Sequence, residues 1–218
     1  MANAPTLPNM TGECEEGERR AGPRVMLLIR PAKIVTADGE YICVIRDVSA
    51  NGASVRMFHA LPPCDKAVLY TEAGHAIEVE QVWVNGSNAG FRFAEPVDVA
   101  LLLADHGRFP KRKLRLDIEL PAVVSLLDGE HDAVVRNLSQ QGARIECGRR
   151  MAIEQIVRLR AEDLPEVRAK VRWRRGYEYG LVFEDTFMLD EFAALAARLQ
   201  VSLPRRTASF SSPVSSSS

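Results

Sequence analysis

The chain has 218 residues, of which 46% are hydrophobic and 26% charged, values ordinary for a soluble globular protein of one large or two small domains. It contains no run of about 20 apolar residues, so no transmembrane helix and no membrane partner are expected. Residues 1–107 hold 9 basic and 14 acidic side chains, a net charge of −5, and residues 108–218 hold 19 and 15, a net of +4. A protein that coats nucleic acid usually has a larger basic excess, which makes nucleic acid an improbable partner.

The N-terminal segment, residues 1–18, mixes Pro, Asn and Gly with acidic residues and is predicted to be a disordered tail. It lacks the apolar run of a signal peptide, so the expected location is the cytoplasm. The cysteines and histidines show no metal-ligand spacing, and no metal site is predicted.

Short β-rich runs separated by Gly, Asn and Pro occupy the first half of the chain. Asp38-Gly39, between the first two runs, predicts a two-residue hairpin. The predicted strands are Ala32–Thr36, Tyr41–Ile45, Ala53–Met57, Ala67–Tyr70, Ile77–Val84 and Gly90–Phe93.

The second half repeats this pattern at an offset of 90 residues. IRDVSANGASV at 45–55 aligns with VRNLSQQGARI at 135–145, and an ungapped comparison of 31–93 with 121–183 gives 16 identities in 63 positions. Random alignment would give roughly 4 at ordinary composition, so the chain is a tandem duplication. The matching strands are Ala122–Leu127, Ala133–Val135, Ala143–Cys147, Ile156–Leu159, Val167–Trp173 and Gly180–Phe183. Strands of this length and spacing predict an antiparallel barrel or sandwich.

A helix is predicted to close each copy. The first has apolar spacing over 99–106, with Asp98 as the N-cap and Gly107 as the stop. The second follows Asp190 with the same spacing over 192–199. Each apolar stripe is expected to pack on its own barrel, with dimerisation through one helix as the alternative. The serine-rich residues 204–218 are predicted to be a disordered tail.

Basic pairs precede the first strand of each copy. The first copy has Arg20 and Arg24, an R-x-x-x-R motif. The candidates in the second copy are Arg108 with Arg112, which keep that spacing, and Lys111 with Arg115, three residues further on. A guanidinium group can grip a phosphate bidentately or bond the O6 and N7 edge of guanine, so these segments predict an anion site.

A second motif follows the predicted hairpin in each copy. It reads D-x-S-x-x-G at Asp47, Ser49 and Gly52, and N-x-S-x-x-G at Asn137, Ser139 and Gly142. The Asp or Asn oxygen can accept from guanine N–H groups, the serine adds a hydroxyl, and the glycine permits a tight turn and close backbone approach. A plain Asx or Ser turn at the end of a strand is the alternative interpretation of this motif.

Together these residues resemble the PilZ domain, a family of bacterial receptors for cyclic di-GMP. The family pattern is R-x-x-x-R, then D/N-x-S-x-x-G, a later Trp and a closing G-x-x-F, which here are Trp83 with Gly90–Phe93 and Trp173 with Gly180–Phe183. The resemblance implies two six-stranded antiparallel β-barrels, each followed by an α-helix, over residues 19–107 and 108–203. It also implies that the arginine segment closes over the ligand while the Asp/Asn and Ser motif holds a guanine.

The second copy departs from the pattern at one place. Arg115 stands directly before an apolar strand residue, as in the family, but the residue four places earlier is Lys111, which lacks the guanidinium fork. The first copy therefore has the more complete motif and the second the more basic surface, and the sequence does not rank them. Trp83 and Trp173 are expected to pack on the barrels rather than to stack on a base.

The leading hypothesis is a non-catalytic receptor that binds cyclic di-GMP, with ordering of the arginine segment and a change in the angle between the barrels. A downstream protein partner is expected to receive the signal. The alternative is a tandem PilZ adaptor that binds no nucleotide in one or both copies and acts by protein contact. No paired nucleophile and base, phosphate loop or metal set is found, so the sequence does not favour an enzyme, and no cofactor is predicted.

Overall fold

A computed structural model describes residues 25–103 and 113–202. It contains twelve strands and two helices. The first copy comprises β1 (Val25–Val35), β2 (Glu40–Ser49), β3 (Gly52–Met57), β4 (Lys66–Thr71), β5 (Ala76–Asn85), β6 (Asn88–Phe93) and α1 (Val99–Leu103). The second comprises β7 (Arg115–Leu126), β8 (Gly129–Ser139), β9 (Gly142–Cys147), β10 (Ile156–Ala161), β11 (Leu164–Arg175), β12 (Glu178–Phe183) and α2 (Leu189–Ser202). Both predicted tails lie outside the described residues.

Each copy forms a closed six-stranded barrel. The strand order is β1-β2-β3-β6-β5-β4 in the first and the matching β7-β8-β9-β12-β11-β10 in the second, and all pairs are antiparallel. Alternate residues point inward, so Ala32 and Ile34 are fully buried in the first barrel, as are Val135 and Ile145 in the second. The predicted duplication and barrel architecture are confirmed.

The first strand of each barrel is longer than predicted. The sequence placed these strands from Ala32 and Ala122, whereas β1 begins at Val25 and β7 at Arg115. The pairing with the next strand shifts register just before the proline of each strand. Proline lacks an N–H donor and is tolerated at such bulges, and the bulge interrupts the alternation that the prediction needed.

The predicted hairpins form, but their turns differ from the prediction. In the first copy Val35 pairs with Glu40, so the loop holds four residues rather than the Asp-Gly pair alone. In the second Leu126 pairs with Gly129, so the two loop residues are Leu127 and Asp128. The glycine of the dipeptide therefore begins or precedes the returning strand in both copies.

The two helices pack differently. Asp98 caps α1 as predicted, its Oδ1 accepting from the Ala100 N–H at 2.8 Å, and Leu102 packs against the first barrel. Helix α2 approaches β2 of the first barrel, and its apolar face joins the core of the second barrel in one buried cluster that also includes Ile42 of β2. The apolar stripe of α2 thus joins the core of its own barrel, as expected, and its contact with β2 of the first barrel is an addition that the sequence did not predict. Neither helix of the described ranges is long and apolar enough to cross a membrane.

Candidate ligand-binding sites

The serine of each D/N-x-S-x-x-G motif closes a hairpin. Ser49 Oγ donates to the Gly52 carbonyl at 3.3 Å, and Ser139 Oγ donates to the Gly142 carbonyl at 3.1 Å. Ser139 is buried. These hydroxyls stabilise the β2–β3 and β8–β9 turns, which is the structural role that the sequence left as the alternative.

The glycine of each motif is required by strand contact rather than by turn geometry. A methyl group on Gly52 would collide with the carbonyl oxygen of Phe91, and one on Gly142 with that of Leu181. Neither glycine has a positive φ. The predicted tight turn is therefore not the reason for these glycines, whereas the predicted close backbone approach is present.

In the first barrel, an open cavity of about 220 Å³ lies beside Asp47. Its lining residues are Arg46, Asp47, Ser54, Trp83, Asn85 and Asn88. Asp47 is held in place because its Oδ2 accepts from Ser54 Oγ at 2.6 Å. The cavity thus combines a carboxylate, an indole, a guanidinium and two amides, the groups that can recognise a purine by hydrogen bonding and ring contact.

In the second barrel, the corresponding position brings Arg115 to Asn137. The Arg115 Nη1 donates to Asn137 Oδ1 at 2.9 Å, on the exposed surface. Across the strand pair, Asn137 lies opposite Arg144 where Asp47 lies opposite Ser54. The second site is therefore built around two guanidinium groups rather than around a carboxylate.

Strand register identifies the counterpart of Arg115 in the first copy. The matching pairs are Val25–Val48 with Leu116–Leu138, and Met26–Asp47 with Asp117–Asn137. Val25 is thus equivalent to Leu116, at an offset of 91 because the bulge in β1 holds one residue more. The residue before Val25 in the sequence is Arg24, so Arg24 corresponds to Arg115 and Arg20 to Lys111.

Five of the predicted basic residues lie outside the described parts of the chain: Arg20, Arg24, Arg108, Lys111 and Arg112. The other seven predicted residues are on the barrels, and Arg115 belongs to β7 rather than to a segment preceding the first strand. Only Asp47, Arg115 and Asn137 among the seven present a side chain to the candidate sites.

The tryptophans lie flat on the glycines of the neighbouring strands. Trp83 pairs with Gly90 and Trp173 with Gly180, and a methyl group on either glycine would collide with the indole ring. The predicted packing is present, yet Trp83 keeps 45% of its surface exposed and Trp173 keeps 43%. One face of each ring is therefore packed while the rest stays accessible, and Trp83 lines the cavity beside Asp47.

Sequence reasoning missed the arginine that precedes each Asp or Asn. Arg136 of the second barrel is bound by Glu146 at 2.7 Å and Glu119 at 3.0 Å, and its hydrogen bond with Glu146 raises its pKa further. Arg46 is the equivalent of Arg136 in the first barrel. There the position of Glu146 is occupied by Arg56, and no carboxylate of the described residues forms an ion pair with Arg46. The aligned repeat already shows this difference, because an arginine at position 56 stands where the second copy has the glutamate that pairs with its arginine.

Comparison with known proteins assigns the chain to a family. The PilZ domain model matches residues 18–104 and 108–198, which together are most of the chain, and the protein belongs to the PilZ domain family. A search of curated proteins found no significant match.

Three of the solved structures that are similar to the chain come from different bacteria. The Borreliella burgdorferi PlzA protein in complex with c-di-GMP is 12% identical, with 81% of this chain and 93% of that chain covered and a TM-score of 0.31. The Bacillus subtilis inhibitor of motility MotI is 14% identical, with 81% and 99% covered and a TM-score of 0.34. The K. pneumonia MrkH complex with c-di-GMP is 12% identical, with 79% and 85% covered and a TM-score of 0.33.

Proposed function

We propose that the protein is a receptor for cyclic di-GMP with one site on each barrel. The observation that carries the proposal is the 2.9 Å contact between Arg115 Nη1 and Asn137 Oδ1, which joins the two family motifs at one surface point. Membership of the PilZ family and the cavity beside Asp47 support it.

In the second site, Arg115 supplies the phosphate grip or the bidentate bond to a guanine edge. Asn137 offers an amide to the base, and Arg144, opposite it on β9, adds positive charge for the phosphates. Ser139 acts indirectly, because its hydroxyl holds the hairpin that carries Asn137.

In the first site, Asp47 accepts from the guanine N–H groups while Ser54 fixes the carboxylate. Trp83 provides an aromatic wall for the base, and the basic pair Arg20 and Arg24 supplies the phosphate contacts by analogy with the second copy. Arg46 is a further phosphate contact that the motifs do not include.

The receptor is non-catalytic in this proposal, since the groups assembled at both sites hold phosphates and bases. It acts in the cytoplasm and passes the signal to a downstream protein. Ligand capture by the basic segments ahead of β1 and β7 changes the orientation of the barrels, because the segment ahead of β7 also joins the two copies.

The test is calorimetric titration of the protein with cyclic di-GMP, comparing the wild type with the Arg115→Ala variant. Loss of one charged hydrogen-bonding group at the ligand is expected to weaken the second site by about ten- to a hundredfold. Arg158→Ala is the matched control, because Arg158 is an exposed arginine of the same barrel whose contact is Glu166 at 3.6 Å.

Equal affinities for the wild type and Arg115→Ala would contradict this assignment of the second site. Absence of binding by the wild type would leave the adaptor alternative, in which the barrels act through protein contact alone.

A further inference from the structure

A buried ion pair on the first barrel faces the second barrel. Lys33 in β1 and Glu40 in β2 are joined at 2.9 Å, with side chains that are only 10% and 19% exposed. Lys33 lies between Ala32 and Ile34, which point into the core, so its own side chain points outward and is covered by the second barrel. Burial raises the pKa of Glu40, and Lys33 opposes that shift.

This pair holds the strand that carries Arg115. Lys33 Nζ donates to the Arg115 carbonyl oxygen at 2.7 Å, and Glu40 Oε2 accepts from the Asp117 N–H at 3.1 Å. One donor and one acceptor from the first barrel thus bind the two peptide groups that flank Leu116.

These two hydrogen bonds are made to the start of β7, where β7 is paired with a neighbouring strand of its own barrel on one side only. β8 pairs with β7 from Arg115 onward, whereas β10 pairs with it only over Ala122–Ser125. Residues i and i+2 of a strand direct their N–H and C=O groups to the same side. The side chains of Lys33 and Glu40 therefore make the hydrogen bonds to Arg115 and Asp117 that a neighbouring strand would otherwise make.

The contact between the barrels also has an apolar part. Ile42, two residues after Glu40, is fully buried in the core cluster of the second barrel, where Phe192 and Leu195 of α2 also lie. Lys33 Nζ lies 5.3 Å from the ring centroid of Tyr70, which adds a cation–π contact on its own barrel. The ion pair is thus fixed by its own barrel while it binds the other.

We propose that Lys33 and Glu40 are positioning residues for the nucleotide site of the second barrel. They fix the backbone from the Arg115 carbonyl to the Asp117 N–H, so that the Arg115 guanidinium group reaches Asn137. The second site is consequently completed by the first barrel, and ligand binding there and docking of the barrels are coupled in both directions. This inference rests on the proposed function.

The test measures cyclic di-GMP affinity of the full chain in an Asp47→Ala background, which leaves the second site as the one observed. The Lys33→Met/Glu40→Gln variant removes both charges together and so leaves no single buried charge behind. We expect at least a tenfold loss of affinity. Lys170→Met, which deletes a lysine paired with Glu154 at 3.5 Å on the second barrel, is the matched control and is expected to bind like its parent.

A double-mutant cycle separates positioning from general destabilisation. Because the pair acts through Arg115, removing it in an Arg115→Ala background is expected to cause no further loss of affinity. Additive losses would overturn the inference by showing a separate structural effect, as would unchanged affinity of the folded pair variant. Failure of the proposed function is distinguishable, because then the parent protein and the Lys170→Met control would not bind either.

Discussion

The first barrel has a cavity beside Asp47, whereas the second barrel places the Arg144 side chain at the equivalent of Ser54. Arg144 lies 3.7 Å from Glu178, which stands where the first barrel has Asn88. The hairpin serines, the strand-contact glycines and the Trp–Gly pairs are nevertheless identical in the two copies. Duplication has retained the residues that build the barrel wall and has varied those at the candidate sites.

The largest expected effect concerns the glycines that the two barrel walls share. Gly142→Ala forces a methyl group against the Leu181 carbonyl at the end of the β9–β12 pairing, and backbone cannot give way as a side chain can. We expect a loss of unfolding free energy of about 1–3 kcal/mol, measured by thermal or denaturant unfolding.

Gly148→Ala is the control for this substitution, because nothing lies within 4 Å of its added methyl group. A Gly142→Ala protein as stable as Gly148→Ala would contradict the assignment of strand contact as the reason for the motif glycine.

The next effect comes from exchanging the residues that distinguish the sites. Ser54→Arg is expected to fill the cavity and pair with Asp47, which weakens cyclic di-GMP binding at the first site by about tenfold, equal to 1.4 kcal/mol. Titration in an Asn137→Ala background isolates that site. Ser87→Arg, on the short loop between β5 and β6, is the control for an added arginine, and unchanged affinity of Ser54→Arg would show that the cavity is not the binding site.

The tryptophans allow the two sites to be observed separately. The chain contains two tryptophans, so Trp173→Phe leaves Trp83 as the sole indole reporter and Trp83→Phe leaves Trp173. Both indoles are partly exposed, Trp83 lines the first-barrel cavity and Trp173 is its counterpart in the duplicate, so we expect saturating cyclic di-GMP to change the fluorescence of each variant. A response from one variant alone would restrict binding to that barrel.

The sequence predicted the scaffold better than the sites. The repeat, the number and order of the strands and the cap at Asp98 follow from patterns in the sequence, and the structure confirms them, whereas the bounds of the first strands and the hairpin turns differ from the prediction. In the sequence, Lys33 looks like any outward-facing lysine of a strand. Its burial depends on contact between the two barrels, which no local sequence pattern indicates. The sequence did not predict the packing of α2 against β2 for the same reason. An amphipathic stripe indicates that one face of a helix is buried, but it does not indicate which surface covers that face.

The smallest expected effect concerns His59, which stands where the second barrel has the exposed Arg149. Both His59 ring nitrogens are buried without a hydrogen-bond partner among the described residues, and burial lowers the pKa of the imidazole. A lowered folded-state pKa contributes stability above the unfolded value of about 6.5, and this stability is lost as pH falls.

We therefore expect His59→Phe to reduce the fall in melting temperature between pH 7 and 5.5, measured by thermal unfolding at each pH. His75→Phe is the comparison variant, since His75 is another histidine of the same barrel. Equal pH dependence for the wild type and His59→Phe would contradict the role assigned to burial.

The most direct test of a receptor with one site on each barrel is the stoichiometry of cyclic di-GMP binding. Calorimetry is performed on the wild type, Asp47→Ala, Asn137→Ala and the double variant. We predict that each single variant loses one class of site and that the double variant loses both. No binding by the folded wild-type protein, or binding by the double variant equal to that of the wild type, would contradict the account.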